Sequence, residues 1–394
     1  MIKQLRDKYN NEFSLERYDG FLKSCNDDAG FVIPFRIAET PIFADKSFKE
    51  KVLNAGDEIL KQVDEIIKNN SIFNLLPDKY LVSGDDGDIE LVSLDFAITI
   101  ENGKPDIKLV ELQGFPSLYA FENYIGFKYL EYFKLDNNYS HLFSNLDFES
   151  YNKLMKEKLL GGYAPEQVIL LEIDPWNQGT SVDFHYTEKY YSIKSVCLSK
   201  IKKQGRKLFY FNDGKLIEIK RIYNRIIIDE LERRPEFINE FNFYDEIEAE
   251  WVVHPNWFVK CSKLMLPYLK SEYIPDTYFL NEIDWTKLDL SEWVLKPIFS
   301  FSGSGVVFNI TEEDIKSISN PEQHIIQKKI KYEPIIPDVE GGFSKAELRM
   351  MYIKKDGKYI PVTNLSRMTK GDLVGVKYNK NKRWVGGNIF LFEK

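Results

Sequence analysis

Val168-Ile169-Leu170-Leu171-Glu172-Ile173 is the stretch that most limits what this chain can fold into. It lacks the polar alternation of a strand with one wet face. A run of this kind reads as a strand covered on both faces, the usual condition of a parallel sheet in an α/β unit. Residues 174–179 then form a loop at the carboxyl end of that strand, where open α/β sheets often meet ligands. Strand and helix alternate to about residue 230, with a hairpin over 208–217 and a further strand over 222–228.

On either side the periodicity changes. Phe48, Val52, Ala55, Ile59, Val63 and Ile66 recur at three- and four-residue steps and predict a helix over 46–70. Residues 89–100 and 107–112 predict two strands joined at Asn102-Gly103, a turn pair. The second strand runs into Gln113-Gly114-Phe115-Pro116-Ser117, and an aromatic-rich helix is expected over 118–134. Downstream, a helix is expected over 257–271, a turn at 274–277, and strands over 293–296, 325–330, 347–353 and 359–367, with another strand just after the Gly303/Gly305 loop.

These elements predict an α/β (α+β) protein. At 394 residues the chain is long enough for two or three domains. The expected divisions are 1–160, 161–250 and 251–394. No internal repeat is evident.

A formal charge of −8 argues against general affinity for nucleic acid, which needs clustered basic surface. Cys25, Cys197 and Cys261 are far apart and not in metal spacing, so they read as reduced thiols. The first residues are charged, with no apolar signal core, and no run of about 18 apolar residues exists. The expectation is a cytoplasmic protein without nucleic-acid or membrane partners.

The chemistry centres on residues 293–307. An apolar strand delivers Lys296, and a small-residue loop with Ser302, Gly303, Ser304 and Gly305 follows. Loop amides turned toward phosphate oxygens, with an ammonium to balance the charge, make a polyphosphate site and point to ATP. Lys263 precedes this lysine; Gln327 and Lys329 follow on the next strand, and Glu333 is placed to hold a ribose. No Walker A loop is present, and Gly303-Ser304-Gly305 lacks the third glycine of a dinucleotide fingerprint. A nucleotide used in this way needs Mg²⁺, held by carboxylate or amide oxygens. Asp95 and the Glu111-x-Gln113 pair fit, because residues two apart on a strand face the same way. Arg349, Arg367 and Arg225 are candidates for a guanidinium clamp on a transferring phosphoryl group.

Taken together, Lys296-Pro297 with its Ser/Gly loop, Lys263, Ile325-Ile326-Gln327 and Asn364-Leu365-Ser366-Arg367 resemble an ATP-grasp domain. The order of the parts narrows this. Asp95-Phe96 and then Glu111-Leu112-Gln113 leading into Pro116-Ser117 precede the lysines. In this the chain is similar to the circularly permuted ATP-grasp ligases typified by the synthetase domain of glutathionylspermidine synthase. The resemblance spans roughly residues 85–370.

It implies a permuted ATP-grasp fold with a pre-ATP-grasp-like α/β domain. It also implies a ligase that joins a carboxylate to an amine through an acyl phosphate, with ATP and Mg²⁺ (two ions) as cofactors. By that analogy Asp95, Glu111 and Gln113 hold the metal. Lys263 and Lys296 hold the phosphates, Gln327 and Lys329 lie by the adenine, and Arg367 lies near the acyl phosphate. Gly114, Pro116 and Ser117 are expected in the pocket for the carboxylate and amine substrates. Two positions depart from the family pattern: Gln113 stands in place of asparagine, and Ser93 in place of an arginine. Two other readings share the ATP site, a phosphotransferase acting on a small molecule and an ATP-binding protein without catalysis.

Overall fold

The computed structural model describes residues 1–69, 71–301, 303–371, 374 and 382–394. At its centre two hairpins, far apart in the chain, join into one antiparallel sheet. Leu91–Glu101 and Lys104–Gln113 form the first, Phe343–Lys355 and Lys358–Thr369 the second. Leu91–Glu101 pairs with Phe343–Lys355, and Gly386–Asn388 adds an outer strand beside Lys358–Thr369. The first hairpin turns through Asn102 (φ 51°) and Gly103 (φ 74°). Two consecutive left-handed residues match the right-handed twist of the flanking strands.

The pairing of the first hairpin shifts between Asp95 and Phe96. Asp95 lies opposite Glu111 and Phe96 opposite Leu109, so Val110 bulges out of register. The Lys46–Asn69 helix buries Val52, Ala55, Ile59 and Val63. Gly56 on that helix touches the Tyr352 hydroxyl so closely that a Cβ there would collide with it.

The apolar run becomes the strand Val168–Glu172, buried along its whole length. It lies in a four-stranded parallel sheet ordered Glu250–Trp251, Arg221–Asn224, Val168–Glu172, Lys194–Cys197. The Ser181–Tyr191 helix makes the crossover between the last two. Beside this sheet Lys207–Asn212 and Lys215–Ile219 form the expected hairpin.

A smaller antiparallel sheet, Thr277–Phe279, His324–Lys328, Trp293–Pro297, carries the lysine strand. It has its own apolar cluster of Leu280, Trp293, Leu295, Ile310, Ile315 and Ile326. A larger continuous core serves the rest of the chain. Trp293 and Leu295 point into the small core, so the alternating residue Lys296 takes the other face.

Three expected elements differ. The helix over 257–271 is broken into Trp257–Lys260 and a 3₁₀ segment, Lys263–Tyr268. Ser262 stands between the two, its side chain accepting from the Leu264 amide at 3.3 Å, and Pro267 inside the second has no amide hydrogen for an α-helical bond. The strand over 222–228 stops at Asn224, whose side chain accepts from the Ile226 amide at 3.0 Å and turns the chain. After the Gly/Ser loop the chain meets the lysine strand by one bridge, Leu295 to Val307, rather than by a second strand. Among the described residues no helix is long and apolar enough to cross a membrane.

Candidate active site

The cross-strand registers of the central sheet bring charged residues onto one face. Arg349 lies opposite Asp95, Arg367 opposite Glu347, and Glu111 opposite Asp95 on the other side. Asp95 is 0% exposed. Arg349 grips it with both arms of its fork, Nε to Oδ1 and Nη2 to Oδ2, each at 2.6 Å. Arg367 donates to Oδ2 at 2.8 Å and also pairs with Glu347. The second Glu347 oxygen accepts the Tyr332 hydroxyl at 2.7 Å.

These partners set the charge states. Burial would raise the Asp95 carboxyl, but Arg349 and Arg367 outweigh it and hold it below the usual carboxylate range. For Glu347, burial and the nearby Asp95 prevail over Arg367, and its carboxyl titrates above the usual range. Burial works against the Arg367 charge, yet Glu347 and Asp95 secure it.

The lysine strand faces this cluster. Lys296 Nζ donates to Gln327 Oε1 at 2.6 Å and to the Val110 carbonyl at 3.4 Å. The bulge therefore supplies an acceptor to the lysine. Gln327 Nε2 in turn donates to Thr277 Oγ1 at 3.1 Å. Burial pushes the Lys296 ammonium down to about 8, against the opposing pull of Glu111. Lys263 is also lowered by burial and also feels Glu111; its ammonium bonds the Ser300 carbonyl. Glu111 is thus the neighbour that the two lysines share with the arginine cluster. Three carboxylates (Asp95, Glu111, Glu347) meet four cations (Lys263, Lys296, Arg349, Arg367), a balance that favours an anion.

Glu111 and Gln113 are half-buried and hydrogen-bonded to each other. They can offer a carboxylate and an amide oxygen to a hard cation. Asp95 fits that role poorly, because both its oxygens already face guanidiniums. No group of three or more His, Cys, Asp or Glu residues able to hold a metal occurs among the described residues.

Gly303 and Gly305 both take φ 72°, a conformation that suits glycine, and Ser304 between them is exposed. Ser302 lies outside the described residues. Lys329 turns to the Ser291 carbonyl at 2.5 Å, and Glu333 pairs with Lys331 at 3.0 Å. Arg225 is fully buried against Asp183 at 2.8 Å, away from solvent. Asp183 also accepts from the amides of Leu118 (3.0 Å), Ala120 (2.9 Å) and Phe121 (3.1 Å), which pins the loop after Gln113. Gly114, Pro116 and Ser117 are buried in that loop. Gly114 has no room for a Cβ against the Trp257 carbonyl.

Glu347 and Tyr332 join the cluster although the sequence reading did not select them. The signal for Glu347 was its two-residue spacing from Arg349, which puts both on one strand face. Tyr332 gave no comparable signal.

No family model matches this sequence, and no curated protein matches it. Solved structures do match. One is a glutathione synthetase-like effector, GSS30, from Globodera pallida, in its apo form. The TM-score is 0.58 at 12% identity, over 96% of this chain and 96% of that one. The chain therefore shares the overall fold of that protein over nearly its whole length.

Proposed function

We propose that this chain is an ATP-grasp ligase that joins a carboxylate to an amine. The observation that carries the reading is the meeting of two buried lysines and an arginine–carboxylate cluster around Glu111, with cations in excess. Lys296 and Lys263 neutralise nucleotide phosphates, and the amides of the 303–305 loop add donors. Arg367 stabilises charge on the transferring phosphoryl group. The substrate carboxylate takes the γ-phosphoryl group, the amine displaces phosphate, and an amide, ADP and phosphate result. The work required is positioning and charge neutralisation, so no protein nucleophile is needed.

Glu111 and Gln113 are the residues that would hold Mg²⁺, which supplies Lewis-acid screening of the phosphate charge. The permuted order is supported by the chain itself: the strand bearing Glu111 precedes the lysines, yet it lies in one sheet with the late strand bearing Arg367. The name of the Globodera pallida neighbour is in keeping with a ligase.

A phosphate-release screen of acid and amine pairs tests the reading. Sustained phosphate release is expected only when both partners are present, because the amine step is the one that frees phosphate. ADP formed with a single hydroxyl-bearing partner would point to a phosphotransferase instead. Lys296→Ala is expected to abolish nucleotide binding, measured by calorimetry; normal binding by that variant would remove the nucleotide assignment.

A further inference from the structure

We propose that Asp95 is a positioning residue, which fixes the guanidiniums of Arg349 and Arg367, and that the divalent ion of the nucleotide reading falls to Glu111 and Gln113 without it. The inference rests on that reading for its metal half only. An ionised aspartate offers about four lone-pair sites. Three are used here, all by cationic donors, two from Arg349 and one from Arg367. A dication drawn to Asp95 would have to settle against both guanidiniums. Glu111 also has cations near it, the two lysines and the arginines, but its direct hydrogen bond is to the neutral Gln113, whose amide can rotate to present its oxygen.

Exposure sorts the two arginines. Arg349 is 8% exposed and Arg367 34%. Arg349 is therefore a support, and Arg367 is the one that reaches a ligand. Arg367 is braced from two sides, by Asp95 with Arg349 behind it and by Glu347 with Tyr332 behind it. Its Nε is buried without a hydrogen-bond partner among the described residues. Fixing the guanidinium before the ligand arrives removes an ordering cost from the transition state.

Two measurements test this. The first needs no nucleotide. The Arg367 Nε–H resonance, observed by NMR, is expected to be sharp in the wild-type chain and to broaden in Asp95→Asn while the backbone spectrum persists. A resonance that stays sharp in that variant overturns the positioning role.

The second is calorimetry with a non-hydrolysable ATP analogue, once with EDTA and once with Mg²⁺. The ratio of the two affinities reports metal ligation. Asp95→Asn is expected to weaken both affinities tenfold or more and to keep the ratio within twofold of wild type. Glu111→Gln is expected to bring the ratio toward one. Collapse of the ratio in Asp95→Asn makes Asp95 a metal ligand and overturns the assignment.

Arg349→Lys serves if Asp95→Asn fails to fold. It keeps a cation opposite Asp95 but loosens the grip, so the Arg367 resonance is expected to broaden with the ratio unchanged. A ratio that rises in that variant would mean that a released Asp95 binds metal, and the assignment would fall. A wild-type chain with no affinity for the analogue would reject the nucleotide reading, and with it the metal half of this inference; the Arg367 resonance would still decide the other half.

Discussion

Lys296 concentrates the physical chemistry of the site in one side chain. Its ordinary value is 10.5, and burial brings it to about 8 in the folded chain. Between those values the unfolded chain holds a proton that the folded chain has released. This group therefore makes stability rise as pH climbs from about 8 to 10.5, and its burial penalty is fully present below 8. On the proposed ATP-binding reading, nucleotide affinity runs the other way. Above pH 8 the free protein must take up a proton before the ammonium can meet phosphate, so affinity is expected to fall by up to about tenfold per pH unit. Calorimetry from pH 7 to 10 checks this, and a flat profile would sink it. Lys296→Arg keeps a charge throughout and is expected to flatten the slope. The residue types were legible in the sequence: a lysine ending an apolar strand, and Glu111 two positions from Gln113. Their partners were not. Gln327 was expected beside an adenine, and here it is the hydrogen-bond partner of Lys296.

Secondary-structure elements show where local sequence suffices. The Lys46–Asn69 helix and the first central hairpin follow from period and turn chemistry alone, whereas Phe343–Lys355 and Lys358–Thr369 are legible as two strands and only the structure pairs them. Asn102-Gly103 is a clear case. Gly103→Ala has open space around its Cβ, so only the left-handed backbone resists it. The expected cost is about 1 kcal/mol, read from urea denaturation, with nucleotide binding unchanged. A larger cost would mean that the turn does more than reverse the chain. The missed elements have local causes too weak to call from pattern. Ser262 interrupts a helix that apolar spacing predicts by accepting the Leu264 amide, and the Asn224 side chain ends a strand by bonding two residues ahead. The bulge at Val110 is invisible in the sequence. It arises from fitting the strand to its partner, and it frees a carbonyl that Lys296 uses.

Over the whole molecule, the site depends on contacts between distant segments. Arg349 and Asp95 are 254 positions apart in the chain. The Asp183–Arg225 pair links the parallel-sheet unit to the loop that leaves the Glu111 strand. Arg225 was a catalytic candidate in the sequence, and its burial makes it a structural partner of that loop in this fold. Asp183→Ala would leave a buried guanidinium and three amides without their acceptor. A loss of about 3–5 kcal/mol is expected, measured by chemical denaturation. A loss under 1 kcal/mol would show that water or another group replaces the carboxylate.

Sequence alone determined most of the element types, the strand covered on both faces, and the inventory of lysines, arginines and acids able to serve a polyphosphate. Those follow from side-chain period, turn propensity and functional-group chemistry, which act over a few residues. Only the tertiary structure decided which acid meets which base. The registers between Leu91–Glu101, Phe343–Lys355 and Lys358–Thr369 put Asp95 between two arginines and Glu347 beside Arg367. Pairing between strands so far apart in the chain is set by burying one face of each in a common core, and no local pattern encodes the partner.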